Sequence, residues 1–321
     1  MHSNLRGALL SLAAFGLYAS HDVVVKFLGG SYSTFQTMFF AGLMGFPLVT
    51  LMLLSDRRDG TLIPSHPWWT IIRTVSSVVT GVMGFFAFSQ LPMAQCYAIF
   101  FAMPLLITLM AIPMLGEKVG LRRGLAVIVG LGGVMIVLRP GGDVPLGIGH
   151  LAALGAATTG AFSSVIVRKI GRDERSVVLM LYPMVLTVLA TGLTMPFVYK
   201  PMPIEHLGLT AVMAALGLAG AFGSIAAYRV APAIIVAPMQ YSQIIWAAFY
   251  GWLIFGERID LYTAIGSSVI IASGIYIVLR EGTPSVSLNR PVLENRSRME
   301  VGTLPRISSW LKRFERSEDQ V

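Results

Sequence analysis

Charge is what this sequence has least of. Asp, Glu, Lys and Arg make up 12% of its 321 residues, while 55% are hydrophobic. A soluble domain carries about 25% charged residues, so too little polar surface remains here to wrap a water-soluble globule. Cysteine is nearly absent as well. Cys96 stands alone, which excludes an intramolecular disulfide and a cysteine-based metal cluster. No GxxxxGKS/T loop occurs, so ATP is not the expected driving force and no cofactor is implied. HExxH and GxSxG are missing too, and His66, His150 and His206 fall in loops or at the edges of apolar runs. That leaves an intramembrane enzyme without a visible nucleophile, base or metal pair.

What the chain has in abundance is long apolar runs, with 33 Gly and 17 Met among them. Gly is frequent in close-packed membrane helices. A spanning helix needs about 20 predominantly apolar residues, and the gaps in the pattern predict ten of them. They cover 6–28, 32–54, 68–90, 92–115, 121–138, 147–167, 177–198, 208–229, 232–255 and 261–279. The first run is too long for a signal-peptide core and lacks a small-x-small cleavage site, so it reads as a retained helix. Leu91-Pro92 and Ala231-Pro232 join consecutive runs almost directly. Pro suits the first turn of a helix, so both read as sharp hairpins.

The net charge of +8 does not point to nucleic acid, because the basic residues sit in short gaps between apolar runs rather than along one face. Their distribution instead orients the chain. Arg6, Arg57, Arg58, Arg73, Lys118, Arg122, Arg123, Arg168, Lys169, Arg172, Arg175 and Arg229 fall on the side of the N-terminus; only Lys26, Arg139, Lys200 and Arg258 fall on the other. The positive-inside bias predicts cytoplasmic N- and C-termini. The tail, 282–321, is basic and polar and reads as mostly disordered. Within it, Ile307, Trp310, Leu311 and Phe314 are spaced for a short interfacial helix over 306–316.

The chain also repeats itself. "MLGEKVGLRR" at 114–123 matches "IFGERIDLY" at 254–262, and "AFSQLP" at 87–92 matches "AYRVAP" at 227–232, both at an offset of 140 residues. "VLRPG" at 137–141 and "VLREG" at 278–282 close the two halves. The expected units are therefore 1–141 and 146–281, each of five helices. Five is odd, so the second unit crosses in the opposite sense. The expected fold class is an all-α membrane protein whose ten transmembrane helices form two inverted-topology five-helix repeats, the plan of many secondary transporters. Inversion also explains why the loop at Glu117 keeps Lys118, Arg122 and Arg123 while the loop at Glu257 keeps little positive charge. Pro104 lies 13 residues before Glu117 and Pro238 lies 19 before Glu257, which predicts kinks at different depths in the two fourth helices.

These two stretches, "LPMAQCYAIFFAMPLLITLMAIPMLGEKVGLRRGLAVIVGLGGVMIVLRPG" and "AYRVAPAIIVAPMQYSQIIWAAFYGWLIFGERI", resemble the drug/metabolite transporter superfamily, specifically its ten-helix EamA-type members, over residues 6–280. The resemblance implies secondary transport of a small organic solute across a bacterial inner membrane. Relatives of that type move amino acids, nucleotide-like metabolites and vitamins. Many carry an Arg after "FF" in the second helix; here Ala41 follows Phe39 and Phe40, so a substrate role for that Arg does not carry over.

The candidate site residues come from polar groups inside apolar runs. Asp22 lies roughly 9 Å below the outer end of the first helix, at 1.5 Å per residue. An intramembrane carboxylate is costly and is by default functional; it could couple protons or recognise an amine. The plainer alternative is a structural pair with Lys26, four residues on along the same face. His21 could carry protons, but on a helix it points about 100° away from Asp22. Arg73 could neutralise an anionic solute or snorkel to headgroups. The richest stretch is "PMQYSQIIWAAFY". Gln240, Tyr241, Gln243, Trp246 and Tyr250 suit an aromatic or amide-bearing solute, with Gln243, Trp246 and Tyr250 on one face; polar packing between helices is the alternative. Tyr97, in the equivalent helix of the first repeat, should face that stretch across a central cavity. Glu117 and Glu257 sit at helix ends beside basic neighbours, and with Pro92 and Pro232 they read as hairpin-fixing residues, with gating as the further option. Small residues at four-residue spacing predict close-packed stripes: Ser76, Thr80 and Gly84; Ala152, Ala156, Gly160 and Ser164; and Ala215, Ala219, Gly223 and Ala227.

The expected function is an ion- or exchange-driven transporter of a small organic metabolite, amino-acid-like or nucleoside- or vitamin-like, working by rocking of two five-helix bundles, with protons a candidate coupling ion. S-adenosylmethionine, riboflavin and amino acids are examples drawn from the family resemblance. A channel-like facilitator and an intramembrane enzyme are the alternatives.

Overall fold

In a computed structural model of the chain, residues 2–54, 62–117, 119–140, 146–171, 173, 174 and 176–281 are described. The tail with its expected 306–316 helix, and Arg57, Arg58, Lys118, Arg172 and Arg175, lie outside them. Every regular element among the described residues is helical. They are α1 (His2–Gly29), α2 (Thr34–Leu54), α3 (Pro67–Gln90), α4 (Met93–Phe100), α5 (Met103–Leu115), α6 (Leu121–Leu138), α7 (Ile148–Ile170), α8 (Ser176–Val198), α9 (Ile204–Val230), α10 (Ala233–Val236), α11 (Ser242–Phe255) and α12 (Leu261–Glu281), with a 3-10 turn, Ala237–Tyr241, between α10 and α11.

These make ten crossings. The fourth is broken into α4 and α5, and the ninth into α10, the 3-10 turn and α11. Eight crossings are long and apolar enough by themselves to span a bilayer; the other two are α2 and the ninth. Outward faces carry large apolar side chains such as Leu121, Phe197 and Ile204, each at least 80% exposed, as suits contact with lipid.

Both broken crossings trace to proline. Pro104 has no N–H, so the Phe100 carbonyl loses its helical donor, and the chain tightens to a bond from the Ala102 amide to the Ile99 carbonyl (3.0 Å). Pro238 does the same one turn inside the ninth crossing and turns 237–241 into 3-10 helix. The breaks nonetheless end at matching depth, at Phe101 and Tyr241, each 16 residues before its Glu. The different depths expected from the proline offsets are thus corrected. The Pro104 break falls on the N-terminal side of its proline, whereas Pro238 sits within the altered turn. The Phe101 and Tyr241 rings meet edge to face at 4.9 Å, so the two breaks touch.

Helix pairing follows the repeat. The main partners are α1 with α9, α3 with α7, α6 with α12, α2 with α8, α5 with α7 and α1 with α11. Exchanging the two halves maps this set onto itself, and every pair joins one half to the other. The repeats are therefore interlocked rather than side-by-side bundles. Exchange of the halves relates two mixed sets, α1, α2, α9, α10 and α11, and α3, α4, α5, α7 and α8, which meet along α2–α8 and α4–α11, with α6 and α12 as a further pair.

Small residues set these contacts, because lipid offers no hydrophobic drive between helices. At the α6–α12 crossing, a Cβ on Gly133 would stand 2.9 Å from the Gly266 carbonyl oxygen. Ala152, Ala156 and Ser164 on α7 and Ser76 and Thr80 on α3 are buried, and Thr80 meets Thr159 at 2.7 Å. The α9 stripe differs from expectation. Ala215 and Ala219 are exposed; the inward face carries Met213, Gly217, Gly220 and Ala227. In a helix apolar all round, composition alone does not mark the packed side.

Candidate functional site

The hairpins expected at Pro92 and Pro232 form with matching geometry. Leu91 and Ala231, the residues before them, are both extended, with ψ of 156° and 152°. Pre-proline residues are pushed out of the helical region, so α3 and α9 end abruptly there. The far ends of the broken crossings also match. Gly116 and Gly256 adopt left-handed φ of 68° and 65°, a conformation that suits Gly. The next amide, of Glu117 or Glu257, folds back to the carbonyl of Ala111 or Gly251 respectively.

Each Glu then meets a cation on the first helix of the other half. Glu117 pairs with Arg168 near the end of α7. Glu257 pairs with Lys26 near the end of α1 at 2.8 Å. Lys26 also donates to the carbonyls of Leu91 (2.5 Å) and Phe88 (3.3 Å), and the Met93 amide donates to Glu257 (2.9 Å). The expected Asp22–Lys26 pair does not form. An i,i+4 pair adds only about 0.2–0.5 kcal/mol, less than the ion pair and two carbonyls that hold Lys26 elsewhere.

Asp22 is 4% exposed and has other partners. The hydroxyl of Tyr97, a fully buried residue on α4, donates to one carboxylate oxygen. His21 Nδ1 lies 2.7 Å from the other, so His21 does not point away as expected. Both atoms lie close to their Cβ carbons, and short side chains on adjacent residues can meet sideways. The His21 ring packs edge-on to Phe85, with centroids 6.3 Å apart, and faces Gly217 of α9.

On another side of α1, at Gly16 and Ser20, the helix faces α11. Ser20 Oγ lies 3.0 Å from the Tyr250 hydroxyl, and Tyr250 stacks with Trp246 at 6.1 Å and 23°. The indole rests on Gly16, where an added Cβ would come within 3.2 Å. Trp246 Nε1 is buried and has no hydrogen-bond partner among the described residues. A buried donor left unpaired is costly and asks for an explanation. α1 therefore carries a buried carboxylate toward α4 and, roughly 160° around its axis, a stacked aromatic pair with an unspent N–H toward α11. That set can bind a cation, a flat ring and an acceptor.

Other expected residues lie elsewhere. Tyr241 is buried against Phe101, and its hydroxyl abuts Gly274 of α12, where no Cβ would fit. Gln243 is buried at 3% exposure, and Gln240 is half-buried in the 3-10 turn. Arg73 neither snorkels nor faces Asp22. It is 6% exposed and donates to the Leu179 carbonyl, tying α3 to α8. Ser20 and Arg168 were not singled out from sequence. Gly16 and Ser20, four apart on α1, were the available hint.

The comparisons with known proteins decide the family. The EamA-like transporter family model matches residues 5–139 and 147–280. The chain belongs to the EamA-like transporter family. Among its relatives, the S-adenosylmethionine uptake transporter of Rickettsia bellii is 24% identical, over 85% of this chain and 92% of that protein. The riboflavin transporter of Brucella anthropi is 26% identical over 74% and 86%, and the pseudopaline exporter of Pseudomonas aeruginosa UCBPP-PA14 is 22% identical over 84% and 94%. A solved crystal structure aligns with a TM-score of 0.57 at 17% identity, covering 87% of this chain and all of its own; it bears on the fold alone. This EamA member is thus a multi-pass membrane protein of a small-molecule transporter family, not an enzyme.

Proposed function

We propose that the chain is a secondary transporter, driven by an ion or by exchange, that carries a small organic solute with a cationic group and a flat ring. Its binding site lies around α1, where that helix faces α4 and α11. Asp22 takes the cationic group, Trp246 and Tyr250 stack on the ring, and the buried Trp246 N–H donates to a ring acceptor. Tyr97 and His21 hold the carboxylate until the solute arrives, and Asp22 also carries the coupling proton. The observation that carries this reading is a buried intramembrane carboxylate, Asp22, on the same helix that faces the stacked Trp246–Tyr250 pair and its unpaired donor. Intramembrane carboxylates are retained at functional sites because they are otherwise costly.

Solute classes that fit are nucleoside-bearing cations such as S-adenosylmethionine, and amino-acid-like compounds with a ring. Riboflavin has the flat ring but no cation, and is the second reading because a riboflavin transporter is among the relatives. The protein works in a bacterial inner membrane, and the lysine and arginine bias supports cytoplasmic placement of both termini. The rocking bodies are the two mixed sets of helices rather than the two repeats, since the repeats interlock.

The test is a thermal-stability screen of purified protein against amino acids, nucleosides, S-adenosylmethionine and flavins. A ligand that binds only the folded state, at about 100 times its dissociation constant, adds roughly 2.7 kcal/mol. A saturable upward shift with a cationic, ring-bearing solute is the expected result. Shifts only with uncharged solutes would remove Asp22 from recognition. Saturable counterflow in vesicles would then separate a carrier from a channel.

A further inference from the structure

Lys26 and Asp22 lie one helical turn apart on α1 with opposite charges, yet each is held by a removable partner. Asp22 is held by the Tyr97 hydroxyl and His21; Lys26 is held by Glu257 and two carbonyls. The Lys26 knot also joins the two mixed sets. Lys26 and Glu257 belong to α1 and the end of α11, on one side. Phe88, Leu91 and Met93 belong to the α3–α4 hairpin, on the other. Beside it, a small cleft lined by Pro92, Gln95, Gly251, Glu257 and Thr263 opens along the α4–α11 seam.

We propose that Asp22 and Lys26 together form a clamp for an α-amino-acid group, and that the solute's carboxylate competes with Glu257 for Lys26, so that loading releases the α3–α4 hairpin. This rests on the transporter reading above and narrows its solute class. The two charges are spaced for such a group: residues at i and i+4 have Cβ atoms about 5–6 Å apart, and the flexible lysine stem closes the remaining distance to a carboxylate one carbon from its ammonium. The ammonium goes to Asp22, whose carboxylate has about four acceptor positions, two of them met by Tyr97 and His21. The carboxylate goes to the Lys26 ammonium. Glu257 then loses its ion partner and, among the described residues, keeps the Met93 amide, while Lys26 is drawn inward from Phe88 and Leu91. The bonds across the seam weaken together, on the membrane face opposite the N-terminus. An empty carrier stays latched; a loaded one opens. A solute lacking the carboxylate binds without unlatching.

The experiment compares matched pairs: free amino acids and S-adenosylmethionine, each against its decarboxylated form, with adenosine and riboflavin as controls, by ligand-induced thermal stabilisation. In the unaltered protein at least one carboxylate-bearing compound should bind about tenfold or more tighter than its partner, the worth of a single charge-assisted contact. Lys26→Met should erase that difference, and Glu257→Gln, which removes the competitor's charge, should widen it. Hydrogen exchange should rise at 88–93 in Glu257→Gln and on loading with the carboxylate-bearing compound. The clamp is overturned if matched pairs bind alike, if no α-amino acid binds, or if Lys26→Met leaves the preference intact. Unchanged or increased protection at 88–93 on loading would overturn the latch. Binding of adenosine or riboflavin alone would sink the clamp while leaving the transporter reading in place; carboxylate-dependent binding without flux would do the reverse.

Discussion

Asp22→Asn isolates charge from shape at the centre of the site. Asn has the size of Asp and keeps an oxygen to accept the Tyr97 hydroxyl bond, and its amide can replace the contact to His21 Nδ1. The substitution removes a charge from a site only 4% exposed. A buried charge carries a desolvation cost that Asn does not, and the hydrogen bonds survive, so the protein without solute should melt no lower. Solute binding should respond differently. If Asp22 meets the cationic group of the solute, its replacement forfeits one hydrogen bond to a charged partner, about 1.5–3 kcal/mol, which is roughly 10- to 150-fold in affinity. Titration of the best ligand from the stability screen measures this directly, with uncharged solutes as controls. Proton-driven uptake in vesicles should also lose its dependence on pH. The reasoning is refuted if affinity falls by less than about threefold, under 1 kcal/mol, or if the pH profile of flux is unchanged. A lower melting temperature with normal affinity would make Asp22 a structural acid.

Trp246→Ala should weaken binding of ring-bearing solutes more than it lowers the melting temperature, because Trp246 stacks at the proposed site and its N–H is unpaired; equal losses would make it a packing residue. Gly274→Ala should destabilise the protein by about 1–3 kcal/mol, as overpacking does, because its Cβ collides with the Tyr241 hydroxyl. The cost should shrink in a Tyr241→Leu background, which removes the far end of the ring, and an equal cost in both backgrounds would disprove the collision. A reporter fused after Arg280 should read cytoplasmic in bacterial cells, and a periplasmic signal would overturn the orientation drawn from lysine and arginine.

The ten crossings were legible because a bilayer imposes one length scale on every helix and because Pro, Gly and charge mark the gaps. The two-fold repeat was legible because its Gly-Glu closures need a left-handed residue and an acid at the same place in both halves. What failed had physical causes. The Asp22–Lys26 pair was inferred from spacing along one helix, but the partner that holds Lys26 is Glu257, 231 positions away, and local helical rules say nothing about that. The lipid-facing side of α9 was misjudged because Ala and Gly occur on both sides of it. Arg73 looked like a surface cation because it lies near a helix start; only packing places it against the Leu179 carbonyl.

The crossed ion pairs show why the interlock matters. Had each repeat folded as its own bundle, Glu117 and Glu257 would brace their own halves, and each hairpin would be held by local contacts alone. Because α11 packs on α1 and α5 on α7, each Glu closes a broken crossing of one repeat onto the first helix of the other. On the face opposite the N-terminus the same cation reaches past its Glu to the α3–α4 hairpin of the other mixed set. A single lysine thus feels three elements at once, and a charge arriving one turn below it can loosen all three. On the proposed reading that arrangement needs no long-range pathway: one ion pair, two carbonyls and one amide would couple occupancy of the site to closure of the face above it.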